Sequence, residues 1–150
     1  MSYTEAKEME KDERDAHLGD GGTGVISFCE SGNDPPHSVP VSYGYDATEA
    51  TFYFRLAIDT DSAKAAIADH DVTFVVYGQT DGEWWSVVAK GQLEETMEES
   101  IATETLQGFE HVHIPIVDVF GRPPKDVPFE FYRLVPDELT SRIEGSTGSA

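Results

Sequence analysis

Apolar and polar positions alternate with a period of two along most of this chain. In Gly24-Val-Ile-Ser-Phe-Cys-Glu30, Val25, Ser27 and Cys29 fall on one side and Ile26 and Phe28 on the other. That spacing predicts a first strand. Ser31-Gly-Asn-Asp-Pro-Pro36 reads as a hairpin connection. A second strand follows over 37–45, with Val39, Val41, Tyr43 and Tyr45 set against Ser38, Pro40, Ser42 and Gly44. Pro40 has no N–H for a ladder, so one side of this strand must face an edge, a bulge or a ligand. After the turn Asp46-Ala-Thr-Glu49, residues 50–56 (Ala-Thr-Phe-Tyr-Phe-Arg-Leu) form a third strand.

Residues 59–70 carry a cap at Asp59, Thr60 or Asp61, then Ala63, Ala65, Ala66, Ile67 and Ala68, which predicts a short helix. Residues 72–79 are almost continuously apolar and predict a central strand. Thr80-Asp-Gly-Glu83 is a hairpin turn, and 84–94 a long fifth strand. Residues 95–107 are helical in pattern, 111–120 partly extended, and 127–135 a sixth strand ending at Pro136. At the start, Thr4 to Leu18 is rich in helix formers behind a Thr cap and predicts a surface helix across one barrel end. The last residues, from Glu144, are expected to fray.

Six strands joined by tight turns predict a mainly β fold, a small antiparallel β-barrel with peripheral helices. The expected organisation is one domain over 1–143 with a disordered tail over 144–150. A length of 150 residues suits one domain with a full core.

Charge changes the picture more than composition does. Acids outnumber bases 29 to 10, for a net charge of -19. Such a field repels phosphate backbones and anionic headgroups, so neither a nucleic-acid nor a membrane partner is expected. The acids are spread along the chain, as in a protein living in high salt, where screening suppresses self-repulsion. A lone cysteine, Cys29, in an apolar strand, together with the lack of a signal or a long apolar span, predicts a soluble cytoplasmic protein.

Few residues suggest chemistry by spacing alone. His111 and His113 share a strand face without a third ligand, so no metal site is expected. Neither a nucleophile elbow, a Walker loop nor a dinucleotide fingerprint is present. Ser62-Ala-Lys64 stands at a helix start, where amides, a hydroxyl and an ammonium would reinforce one another around an anion. The plainer reading has Asp59 or Asp61 capping the helix and Lys64 solvated. Arg55, at the end of the strand leading into that loop, favours the anion. Trp84 and Trp85 point to opposite faces, one to the core and one free to cover a planar ligand or a subunit contact.

In order and spacing, Gly24-Val-Ile-Ser-Phe, Pro36-His-Ser-Val-Pro-Val-Ser-Tyr, Thr51-Phe-Tyr-Phe-Arg, Ser62-Ala-Lys and Trp85-Ser-Val-Val-Ala-Lys-Gly resemble the pyridoxamine 5'-phosphate oxidase-like FMN-binding split barrels. The likeness runs over about residues 4 to 137 and is greatest to the short nitroimidazole-resistance-type branch. With the acidic composition, it suggests a haloarchaeal member. The resemblance implies a six-stranded split barrel that binds FMN as a homodimer, with the flavin site at the interface. It implies an oxidoreductase with a small-molecule electron donor and acceptor. Val39, Pro40, Val41 and Ser42 would then line the ring edge, largely through backbone groups, with Phe54 and Arg55 on the next strand. Ser62 and Lys64 would hold the phosphate, and Trp85 and Ser86 would complete the pocket. A non-catalytic flavin-binding or storage module, or a split barrel holding a deazaflavin or haem, is the alternative.

Two departures stand out. Ala63 replaces a basic residue common between the Ser and Lys, and Arg55 stands where nitroimidazole-type members carry a His. Near the C-terminus only Arg133 and Arg142 are arginines, so a grip on a pyridoxal phosphate substrate is not apparent.

Overall fold

The computed structural model describes residues 4–28, 35–57, 71–108 and 129–146. Strands β1 (Thr4–Glu8), β2 (Gly21–Phe28), β3 (His37–Asp46), β4 (Thr51–Ala57), β5 (Asp71–Thr80), β6 (Glu83–Thr96), β7 (Phe129–Leu134) and β8 (Glu138–Ser146) make one antiparallel sheet. Helix α1 (Lys11–Leu18) follows β1, and a short helix α2 (Thr103–Gly108) follows β6 after a 3-10 turn at Glu98–Ser100. The sheet order is β1-β8-β6-β5-β2-β3-β4-β7, and an added β6–β7 pairing closes β6, β5, β2, β3, β4 and β7 into a six-stranded barrel. Strands β8 and β1 continue the sheet outside it.

The closure depends on the length of β6. Its first part pairs β8 from Trp84 to Lys90, and its last part pairs β7 from Leu93 to Thr96. Gly91 lies between the two partners. A Cβ there would stand 3.1 Å from Leu134 Cδ1 and 3.2 Å from the Val135 carbonyl. Where the chain turns from β7 into β8, the Asp137 N–H donates to the Lys90 carbonyl at 2.8 Å.

Alternation fills the barrel. Ile26, Phe28, Val39, Val41, Tyr43, Tyr45, Phe52, Phe54, Phe74, Val76, Val87 and Leu134 are buried in one cluster. Phe74 meets Tyr43, Phe52 and Phe54 edge-on at centroid distances of 4.8–5.4 Å, the arrangement that ring quadrupoles favour. Helix α1 adds Leu18 to this core. The β5–β6 turn is a tight one, with Asp81 and Gly82 at φ 53 and 80, the backbone expected of an Asp-Gly hairpin.

Three expectations are corrected. Residues 4–8 are a strand: pairing with β8 from Thr4↔Ser146 to Glu8↔Arg142 overrides their helical propensity. The stretch 138–146 is likewise a strand, and it includes residues 144–146. Residues 95 and 96 still belong to β6, and only the 3-10 turn and α2 are helical in 95–107. The expected helix over 59–70 and the segment 111–120 lie outside the described residues.

Candidate functional site

Strand β3 pairs β2 from Gly21↔Gly44 to Phe28↔His37. It pairs β4 only from Tyr43↔Phe54 to Asp46↔Thr51. From Ser42 back to His37, among the described residues, β3 has no second neighbour, while Arg55, Leu56 and Ala57 run on with β7 alone beside them. The barrel wall therefore forks at Ser42 and Arg55.

Backbone parity shows what that fork presents. The Tyr45 N–H donates to the Asp20 carbonyl at 2.9 Å, on the β2 side. Along an unbroken ladder, Tyr43, Val41 and Val39 turn their backbone groups the same way, and Ser42, Pro40 and Ser38 turn theirs toward the fork. Pro40 thus withholds its missing N–H from the open edge, so the β2–β3 ladder loses no bond. What remains on that edge are the N–H groups of Ser42 and Ser38 and the carbonyls of all three residues. A planar heterocycle with both donors and acceptors along its edge could pair with such a row.

The side chains divide differently. Val39, Val41 and Phe54 are buried in the barrel core, so they shape the strands and touch nothing outside. Pro40 is exposed, and Ser42 and Arg55 are half-buried on the outer face. Six of the expected site residues therefore meet at one fork. Ser62 and Lys64 lie outside the described residues.

Trp85 and Ser86 are elsewhere. Two strands, β5 and β2, separate β6 from β3, about 14 Å around the sheet. The Trp85 indole packs against the core and stacks on His17 of α1, with ring centroids 4.8 Å apart and planes 23° from parallel. Gly78 makes room for it, since a Cβ there would lie 3.0 Å from the indole. Ser86 points outward beside Arg142 in a shallow cavity of about 380 Å³ that Lys90 and Glu138 also line. Within one chain, neither reaches the fork.

The outer face carries a feature that the alternation held but spacing did not single out. The registers Pro40↔Val25, Val25↔Val75, Val75↔Val88 and Val88↔Thr140 set one apolar row across β3, β2, β5, β6 and into β8. Its three valines are half-buried. Beside the row, Tyr77 (64% exposed) and Trp84 (50% exposed) lie 6.4 Å apart. The outward residues of β5, Thr73, Val75 and Tyr77, show that this central strand is two-faced, although its sequence is almost continuously apolar.

Ionisable groups near the barrel end are structural. The Tyr45 hydroxyl donates to Asp15 Oδ1 at 2.6 Å and the Tyr43 hydroxyl to the Leu18 carbonyl at 2.9 Å, tying α1 to β3. Burial and the neighbouring Asp15 carboxylate push the Tyr45 hydroxyl up to about 12. Burial would raise Asp15, but hydrogen bonds from Lys11 and Tyr45 and the charges of Arg14 and Lys11 outweigh it and hold the carboxyl below its usual value. Tyr132 is raised by burial and by Glu130 and Glu95. No group of three or more His, Cys, Asp or Glu side chains able to hold a metal occurs among the described residues, and no described helix is long and apolar enough to cross a membrane.

A family model described as pyridoxamine 5'-phosphate oxidase matches residues 10–143. No curated protein matches the chain. Among solved structures, the chain is similar to an FAD-binding protein from Mesorhizobium loti: identity is 18%, TM-score 0.61, and coverage 97% of this chain and 99% of that one. It is also similar to an FAD-binding protein from Mycobacterium smegmatis, at 17% identity and TM-score 0.58 over 91% of this chain and 97% of that one. A third similar structure is an FAD- and haem-binding protein from the same organism, at 10% identity and TM-score 0.58 over 95% of this chain and 74% of that one.

Proposed function

Because the chain belongs to the pyridoxamine 5'-phosphate oxidase family, we propose that it is an FMN-binding oxidoreductase that works as a homodimer. The observation that carries the reading is the open edge of β3 beside Arg55. That edge offers backbone donors and acceptors in a row and is bounded by a cation, as the heteroatom edge of an isoalloxazine requires. Flavin binding also accords with the FAD-binding proteins of the same fold.

When bound, the flavin supplies the electron transfer, and the protein orients it and excludes competing reactions. Ser42, Pro40 and Ser38 would hold the ring edge through their backbone. Val39, Val41 and Phe54 would fix those strands from inside. Ser62 and Lys64 would hold the phosphate. The homodimer draws support from the apolar row through Val25, Val75 and Val88, and from the distance of Trp85 and Ser86 from the fork in their own chain. On this reading a second copy brings its Ser86 face to the site, in a cytoplasm of high salt.

Titrating the purified protein with FMN tests the reading. One equivalent should bind per chain, with a structured absorption band and quenched fluorescence, and Lys64→Ala should weaken FMN binding about tenfold or more while sparing riboflavin. A protein that leaves FMN free and instead takes a deazaflavin, or shows a Soret band with haem, would replace this reading with that cofactor. Bound flavin that no common donor reduces would mark a storage module.

A further inference from the structure

Arg55 sits where β3 and β4 part. Its chain neighbours Phe54 and Leu56 are wholly buried in the core, so alternation turns its side chain to the outer face, with Ser42 and Pro40. The outer-face residues next to it are Tyr53, two positions earlier on β4, and Phe131, directly opposite on β7; both belong to a small apolar cluster with Ile101 and Leu106. The side chain is half-buried, and its Nε is shielded from solvent.

Other bases are placed differently. Lys11 and Arg14 lie on α1, and Arg133 lies on β7. Lys7, Lys90 and Arg142 are exposed. Arg55 therefore combines three properties: a permanent charge, an apolar flank, and a position beside the only stretch of β3 that lacks a second strand among the described residues. A charge with little water around it acts more strongly than one at the surface.

Arg55 also stands at the closed end of the fork, level with Ser42. Ser62 and Lys64 come at least five residues after β4 ends at Ala57. Arg55 is thus placed by β4 itself at the ring edge, whereas Ser62 and Lys64 follow β4 in the sequence. We propose that Arg55 sets the charge balance of the bound flavin ring and does not hold its phosphate, an inference that rests on the flavin reading above. A ring that takes up a hydride, two electrons with one proton, from a hydride donor gains one negative charge. A guanidinium fixed beside it favours the reduced ring over the oxidised one.

The test uses the protein loaded with FMN, and separately with riboflavin, in wild type, Arg55→Gln and Arg55→Lys, with thermal unfolding to confirm that each variant folds. Reductive titration against a dye of known potential gives the ratio of reduced to oxidised affinity. Arg55→Gln should lower that ratio about tenfold, a fall of about 30 mV for a two-electron couple. It should do so equally for FMN and riboflavin, and Arg55→Lys should recover most of the loss. An unchanged potential in Arg55→Gln overturns the inference. So does a loss of FMN affinity that spares riboflavin, which would return Arg55 to the phosphate. A wild-type protein that binds no flavin removes the reading beneath, and is told apart from both because no variant is needed to see it.

Discussion

Single residues decide how closely the barrel can pack. Gly24 faces the interior opposite Val41, and a Cβ there would stand 2.6 Å from Phe74 Cζ and 2.7 Å from the Val75 carbonyl oxygen. The first contact could yield by a shift of the ring. The second is backbone in a central strand and cannot. Gly24→Ala is therefore expected to destabilise the fold by about 1–3 kcal/mol, the usual range for overpacking, read as a lower denaturant midpoint at unchanged slope. A stability equal to wild type would show that β5 moves freely, against its pairing on both sides. Pro40 is the complementary case. Its sequence position left an edge, a bulge or a ligand open, and the parity of the β3 backbone turns it to the edge without a second strand. Val39 and Val41, expected to line the ring edge largely through backbone, turn their backbone groups to β2 and, like Phe54, their side chains into the core.

At the scale of elements, α1 is held to the barrel by few bonds, and one of them titrates. Asp15 accepts from Tyr45 at 2.6 Å and from Lys11 at 2.5 Å, and these partners hold its carboxyl below the ordinary value of 3.8. A depressed folded value means that the contribution is present above the unfolded value and is lost as pH falls through the folded one. Wild type should thus exceed Asp15→Asn in stability near neutral pH, and the gap should close as pH drops below about 4. Equal pH profiles for the two proteins would mean that the tie carries no weight. The same scale shows what the sequence could tell. Strands with strong alternation, such as Val39 to Tyr45, were legible, as was the Asp-Gly turn. Strand β8 was not: Leu139 and Ile143 are the only apolar residues facing inward in Glu-Leu-Thr-Ser-Arg-Ile-Glu, and its partner β1 reads locally as helix. Strand β1 gains its form from β8, and β8 from β1 and β6, long-range pairings that no local window contains. The fork had a sign in Pro40, but its end at Ser42 depends on where β4 parts from β3. That is a property of the closed sheet.

The whole molecule sets two terms against each other. The outer face of β3, β2, β5, β6 and β8 carries a connected apolar row with Tyr77 and Trp84 beside it, which favours covering it with another copy. Each copy has a net charge of -19, which opposes bringing two together. The first term depends little on salt at moderate concentration, whereas the second is screened over about 30 Å at 0.01 M and about 8 Å at 0.15 M. Association should therefore be weak at low salt and grow steeply with ionic strength, before apolar burial itself strengthens further. Light scattering across that range is expected to pass from monomer to dimer. Val88→Asp, placed in the middle of the row on a half-buried outward position, should remain a monomer in high salt while its circular dichroism stays that of the wild type. A mass that does not change with salt would remove the electrostatic term, and a Val88→Asp dimer would move the contact to another face. If both expectations hold, the acidic surface and the apolar row act together as a salt-gated contact. FMN occupancy should then follow the dimer, because Ser86 can reach the fork only from a second chain.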